Sequence, residues 1–363
     1  MAAGPGSVRL SRARLTLDDR TLFLPGPRLT SIAILGAGSV GCFVGGCWQV
    51  AGLEVRFIGR PSFDREVADH GLALSDYSGW EASIPPDRVD YRTEPDALAG
   101  ANVIALCVKS GATADAARQI AAHAVPGSTV ISFQNGISNV EVLERELAGR
   151  FTVVRGMVPY NVAYLGDGRF HKGVAGDLHA DDRPEARALA ERVGKSPAAL
   201  KLSDDMLGIA WGKLLINLNN AVSALSGRTL LEELRERDYR RVFAASMREG
   251  LQLLDKAGIE PAKVGAVGPR LLPWVIGSPD WLFHNIFMKA WKIDAKARSS
   301  MADDLAAGRK TEVDYINGEL VKLAERIGAD APVNRKVVEL IRKAEGGAPP
   351  WPPAALRREV LGG

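Results

Sequence analysis

Cysteine is scarce in this chain: its 363 residues hold three, Cys42, Cys47 and Cys107, all in apolar contexts and none in CxxC or Cys/His ligand spacing. That pattern argues against a disulfide framework and a cysteine-based metal centre; no metal ligand set is expected, and the thiols read as buried residues of a reducing compartment. Apolar runs long enough to cross a bilayer are missing as well, so no membrane association is expected. Charge of one sign is not in excess either, since 46 Lys and Arg face 43 Asp and Glu for a net charge of +3. Nucleic-acid binding, which needs a clustered basic face, is therefore not expected. Residues 1–29 carry Arg9, Arg12, Arg14, Arg20 and Arg28 against few acids, as transit peptides do, but Ala, Arg and Gly pervade the whole chain. The expectation is a flexible extension, dispensable for chemistry, on a cytoplasmic protein.

The chain does have a glycine turn in a telling place. An apolar run at 31–35 leads into Gly36-Ala37-Gly38-Ser39-Val40-Gly41, and helix-sized spacing follows to a second apolar run ending Ile58-Gly59-Arg60. The order reads strand, tight turn, helix, strand. In a dinucleotide site the first glycine permits the turn, the second lets backbone approach the pyrophosphate, and the third lets helix pack on strand. The helix N-terminus then meets phosphate. Sites for NAD place Asp or Glu at the end of the second strand to accept from the ribose hydroxyl. Arg60 stands there instead and can fork onto the extra phosphate of NADP, so NADP(H) is preferred over NAD. The plainer alternative is a solvated surface Arg.

The alternation continues. Residues 102–108 form another buried-strand run, followed by Lys109 and an Ala-rich helical stretch, and residues 130–133 a further strand ending in Gln134-Asn135-Gly136. Such alternation predicts an α/β fold, a Rossmann-type parallel sheet with ligands beyond the carboxyl ends of its strands, which puts Lys109 and Asn135 on the rim. From about residue 204 long helical segments dominate, at 205–224, 230–257 and 311–327. Residues 264–279, rich in Pro and Gly, read as an irregular insertion, and the Pro-rich tail 346–363 as flexible. The predicted organisation is an NADP-binding domain at 30–203, an all-helical catalytic domain at 204–345, and a cleft between them.

Lys213 and Asn217 lie four residues apart, on one face of a helix whose other residues are mostly Leu and Ile. A buried Lys is costly unless paired or functional, and desolvation makes it a better proton donor near neutral pH. The alternative is a Lys that snorkels to the surface. A second polar set is Ser299-Ser300-Met301, and a third runs from Thr311 and Glu312 to Asn317 and Gly318, which alone would be an ordinary amphipathic helix.

Taken in order, Gly36 to Gly41, Val108-Lys109, Gln134-Asn135-Gly136, Trp211-Gly212-Lys213 with Asn217, Ser299-Ser300-Met301 and the segment 311–318 resemble the ketopantoate reductase (2-dehydropantoate 2-reductase) family over roughly residues 31–344. The resemblance implies NADPH-dependent reduction of a 2-oxo acid to a 2-hydroxy acid, with ketopantoate to pantoate in pantothenate biosynthesis as the leading case. It implies Lys213 as proton donor, Asn217 and Ser300 as substrate ligands, and Asn135 near both substrate and cofactor. Gly36, Ala37, Gly38, Ser39, Val40, Gly41, Arg60, Lys109 and Glu312 would hold the cofactor, Glu312 meeting either the ammonium or a ribose hydroxyl. A homodimer is compatible with it. The chain departs from the family where Ala221 and Ala297 replace Asn residues of some members, and where Trp274, Trp281, Phe283 and Trp291 enrich an insertion able to cover or reshape the cleft. An opine-type dehydrogenase acting on another oxo acid or an imine, or a non-catalytic NADPH-binding protein, is the competing reading.

Overall fold

Short runs that are apolar on both faces build the N-terminal half. Ile32–Leu35, Val103–Leu106 and Thr129–Ser132 are buried at every position, as strands covered on both sides must be. The computed structural model describes residues 15–16, 31–265, 267–288 and 297–362. Its larger sheet has eight strands in the order Leu200–Ser203, Leu178–Asp181, Thr152–Met157, Thr129–Ser132, Val103–Leu106, Ile32–Leu35, Val55–Ile58, Asp90–Arg92. From Thr152–Met157 to Asp90–Arg92 all neighbours pair parallel, whereas Leu178–Asp181 joins antiparallel. The chain leaves Ile32–Leu35 in one direction and resumes at Val103–Leu106 on its other side, so the sheet has a topological switch point between them, where Rossmann-type folds open their ligand crevice.

A second sheet, absent from the sequence-based expectation, carries Glu81–Ile84, Leu72–Asp76, Arg169–Lys172 and Val162–Tyr164, with Leu15–Thr16 pairing parallel at its edge. The rest of the N-terminal extension, 1–14 and 17–30, lies outside the described residues.

The C-terminal half is helical, but each long helix expected there is interrupted. The first divides at Leu218 into Met206–Asn217 and Asn219–Ser226. The second divides at Glu236, whose extended backbone separates Leu230–Arg235 from Arg237–Lys256. Thr229 starts the shorter piece through a reciprocal capping box with Glu232. The third opens as a 3₁₀ turn, Val313–Tyr315, before Asn317–Arg326, which corrects the reading of 311–318 as regular helix. Pro332–Glu345 completes the core with Leu320, Val337, Leu340 and Ile341 buried inside.

Two further expectations are corrected. The tail is not frayed: Pro353–Leu361 is a helix with proline in its first turn, where no backbone donor is lost, and it buries Leu356 and Val360 in the helical core. Tyr239 anchors the approach by donating to the Trp351 carbonyl at 2.5 Å. The insertion is not wholly irregular either, since it holds the helix Leu272–Ile276. Of its aromatics, Phe283 is fully buried beneath the Arg240 guanidinium at 4.1 Å, while Trp274 and Trp281 are each 69% exposed. Trp291 lies outside the described residues. Among the described residues no helix is long and apolar enough to cross a membrane.

Candidate active site

The glycine turn performs three distinct tasks. Gly36 has φ +97° and passes so close to the next strand that a Cβ there would lie 2.5 Å from the Val108 nitrogen. At Gly41 a Cβ would meet the Gly36 carbonyl at 2.6 Å and Ile34 at 2.9 Å, so only glycine lets the Ser39–Val50 helix rest on its strand. Gly38, the residue before that helix, would meet nothing within 4 Å. Its open face, beside helix N–H groups whose first turn carries no acidic side chain, fits the pyrophosphate of a dinucleotide.

Arg60 stands beside this turn. The Tyr91 hydroxyl donates to the Ala37 carbonyl at 3.0 Å and lies 3.4 Å from the Arg60 carbonyl. Gly59 leaves room for it, since a Cβ there would fall 2.2 Å from that hydroxyl. The Arg60 side chain is exposed, with its guanidinium 5.5 Å from the Phe63 ring.

The carboxyl ends of three adjacent strands dock the helical half. After Val103–Leu106 come Lys109 and Ser110; after Thr129–Ser132 come Gln134, Asn135, Ser138 and Asn139; after Thr152–Met157 comes Val158. Lys213 reaches across from the Met206–Asn217 helix to donate to the Asn135 Oδ1 at 3.1 Å and to the Val158 carbonyl. Asn135 Nδ2 donates to Glu312 Oε2 at 3.1 Å, while Glu312 Oε1 accepts from the Ser110 amide and lies 2.9 Å from its hydroxyl. Thus Glu312 does not bond Lys213 directly. Burial lowers the Lys213 pKa to about 8, only partly offset by the negative charge of Glu312. The lysine chain keeps some exposure along the cleft while its ammonium is enclosed by protein.

A narrow cleft opens here, lined by Asn135, Lys213 and Asn217 among the expected residues, with Gln134, Met157, Leu214 and Ile316 around them. The glycine turn and Glu312, which reaches the cleft through Asn135, lie outside this lining, and so do three further expected residues. Arg60 is at the glycine turn. Lys109 pairs with Asp304 at 2.5 Å, and Arg309 holds the same carboxylate at 2.9 Å. Ser300 is exposed at the first position of the Ser300–Ala306 helix, whereas its neighbour Ser299 is buried, caps that helix by accepting from the Ala302 amide at 3.1 Å, and donates to the Asn220 carbonyl.

Sequence reasoning missed the supports of the site: Ser110, Thr113, Asn139 and Asp304. Asn139 donates to the Asn135 carbonyl at 2.5 Å and to the Ser110 hydroxyl at 3.1 Å, and accepts from Thr113 at 2.8 Å. Gln134 donates to the Thr113 hydroxyl at 2.8 Å and accepts from Ser132 at 2.9 Å. The one sequence signal was position, since all but Asp304 follow the strands whose ends form the rim.

Comparison with known proteins adds ancestry to this geometry. The family models described as "Ketopantoate reductase PanE/ApbA" and "Ketopantoate reductase PanE/ApbA C terminal" match residues 32–184 and 205–345. A 2-dehydropantoate 2-reductase of Archaeoglobus fulgidus is 28% identical over 326 residues, covering 88% of this chain and 99% of its own. The solved PanE/ApbA family ketopantoate reductase of Ralstonia eutropha superposes with a TM-score of 0.74 at 27% identity, covering 87% of this chain and 99% of that one. A D-mandelate dehydrogenase solved with NADH and anilino(oxo)acetate, 20% identical with a TM-score of 0.69 over 87% of this chain and 99% of its own, shares the fold.

Proposed function

The chain belongs to the ketopantoate reductase family, and from that premise we propose that it reduces a 2-oxo acid to the 2-hydroxy acid with NADPH, ketopantoate being the leading substrate. One observation carries the reading: the Lys213 ammonium stands at the strand-end cleft, bonded to two neutral oxygens, with a pKa lowered to about 8. Such a group is protonated at neutral pH and gives up its proton readily, as a general acid must.

A nicotinamide dinucleotide held at the glycine turn would supply the hydride for the carbonyl carbon. Lys213 delivers a proton to the carbonyl oxygen, so that no free alkoxide accumulates, and Asn135 fixes the direction of its N–H bonds. Asn217, one helical turn on, lines the same cleft and orients the substrate's polar groups. Ser300, exposed at the start of its helix, is assigned the substrate carboxylate on family resemblance and reaches it by closure of the two halves over the ligand. The glycine turn holds the pyrophosphate, Arg60 the phosphate that distinguishes NADP, and Lys109 and Glu312 border the cofactor. The preference for NADP(H) rests on Arg60 standing where a carboxylate would repel that phosphate.

The test is oxidation of NADPH and NADH by purified protein against a panel of 2-oxo acids and imines. Turnover of a 2-oxo acid with NADPH favoured is expected. Turnover of imines alone, or cofactor binding without turnover, would overturn the proposal.

A further inference from the structure

Two consecutive residues leave the end of the Val103–Leu106 strand, and both tie into the helical half. Lys109 takes Asp304, while Ser110 takes Glu312. The second tie reaches the chemistry. We propose that Ser110 is a positioning residue acting through Glu312: it holds that carboxylate in place beside the site, so that the ammonium of Lys213 faces neutral oxygens instead of forming an ion pair. The inference rests on the reading of Lys213 as proton donor.

Glu312 has both oxygens engaged. Oε1 accepts the Ser110 amide at 2.9 Å and lies 2.9 Å from its hydroxyl, and Oε2 accepts Asn135 Nδ2 at 3.1 Å. The hydroxyl has one proton and two candidate acceptors, because the Asn135 carbonyl also lies at 2.9 Å. A carboxylate accepts more strongly, and the Asn135 carbonyl is already served by Asn139 at 2.5 Å, so the proton goes to Glu312. Ser110 has little freedom to do otherwise: it is 2% exposed, its carbonyl lies 2.7 Å from the Thr113 hydroxyl, and its own hydroxyl accepts from Asn139 at 3.1 Å.

The elements packed around Lys213 present Gln134, Asn135, Met157, the Val158 carbonyl, Asn217 and Ile316, none of them titratable. Glu312 is the charged neighbour that acts on it. Without the Ser110 hydroxyl, Oε1 keeps a single donor, and its free lone pairs turn to Lys213, the cation its charge already acts on. A direct Glu312–Lys213 pair favours the ammonium and makes it a poorer acid.

The experiment compares Ser110→Ala and Ser110→Cys with the parent by pH profiles of kcat and KM for the best 2-oxo acid. Reduction requires the protonated lysine, so parent kcat falls as pH rises through about 8. In the variants that fall moves about one unit higher and the plateau kcat drops roughly tenfold, with KM little changed. In a Glu312→Gln background, Ser110→Ala has no further effect on the limb, since the carboxylate it restrains is gone. A Ser110 that only supports the fold would lower Tm and act equally in both backgrounds, which would overturn the proposal, as would an unmoved limb. Should the parent turn over no 2-oxo acid, the function assignment fails separately. The pH dependence of Lys213 acetylation by acetic anhydride, read by mass spectrometry, then decides this inference alone: the same titration in parent and variant refutes it.

Discussion

The strand-end rim and the core of the helical half both bury polar side chains, and they do so in opposite ways. On the rim Ser132, Gln134, Thr113, Asn139, Ser110, Glu312 and Asn135 form a continuous chain in which each side chain bonds the next. In the helical core Glu233 and Arg240 are fully buried, yet Glu233 Oε1 and Arg240 Nε have no partner among the described residues, and neither do Asn219 Oδ1 and Ser223 Oγ nearby in the fold. A network in which each member, the Glu312 carboxylate included, has its bonds made holds direction at low cost, whereas a buried ionisable group missing a bond carries desolvation cost into the stability of the fold. On the proposed mechanism the rim sets the pH response of activity, while the unpartnered groups of the helical core weigh on the stability of the fold.

The comparison is broken most severely at Arg240. It donates to the Ile276 and Ser278 carbonyls at 2.8 Å each, pairs with Asp280 and covers Phe283. Arg240→Ala is expected to cost about 3 kcal/mol in urea unfolding while leaving KM for cofactor near the parent value. At Lys213 the sign reverses. Lys213→Ala is expected to lower kcat on the order of a hundredfold with NADPH affinity intact, and Lys213→Arg not to restore it, because Arg holds its proton too tightly. Steady-state kinetics beside cofactor titration checks both, and near-parent kcat in Lys213→Ala would send the search to Lys109.

A smaller effect belongs to Arg60. Arg60→Ala should raise the NADPH Kd about tenfold, roughly 1.5 kcal/mol for a lost charge-assisted contact, and leave NADH unchanged. Equal losses for the two cofactors would remove Arg60 from phosphate recognition.

The last effect is a pH dependence. Burial raises the Glu233 pKa to about 8, against the opposing influence of the Asn219 amide and Arg240. The folded state thus holds a proton that the unfolded chain releases near pH 4.5, and stability falls as pH rises from there to about 8. Lys213, lowered to about 8, acts oppositely: above pH 8 the unfolded chain binds more protons, and stability rises until about pH 10.4. Glu233→Gln should flatten the fall between pH 5 and pH 8 by on the order of a few kcal/mol, about 1.36 for each pH unit, read as the shift of urea midpoint between those two pH values. An undiminished slope in Glu233→Gln would show that another group titrates.

Much of the rim and little of the helical core could be read from residue order. The glycine turn was legible because Gly36, Gly38 and Gly41 meet steric demands set within a few residues, and Lys213 with Asn217 because a helix repeats its face every four. Thr311 to Gly318 misled, since its polar and apolar residues fit a helix, yet Glu312 is drawn out of helical geometry by Ser110 and Asn135. The tail misled for a related reason: Pro-rich spacing forbids a helix through 348–353 but allows one that begins at Pro353.

Sequence by itself determined the fold class and the glycine turn, because these follow from contacts a few positions apart and from side-chain chemistry. Tertiary structure alone decided what the polar residues face. Ser110 meets Glu312 across 202 residues and Lys109 meets Asp304 across 195. Which of two adjacent serines, Ser299 or Ser300, is buried depended on where their helix lies against Asn220. Residue order cannot encode such pairings directly: they arise when packing of the two halves brings strand ends and helix faces within bonding distance, and only then does an ordinary lysine become an enclosed ammonium with a lowered pKa.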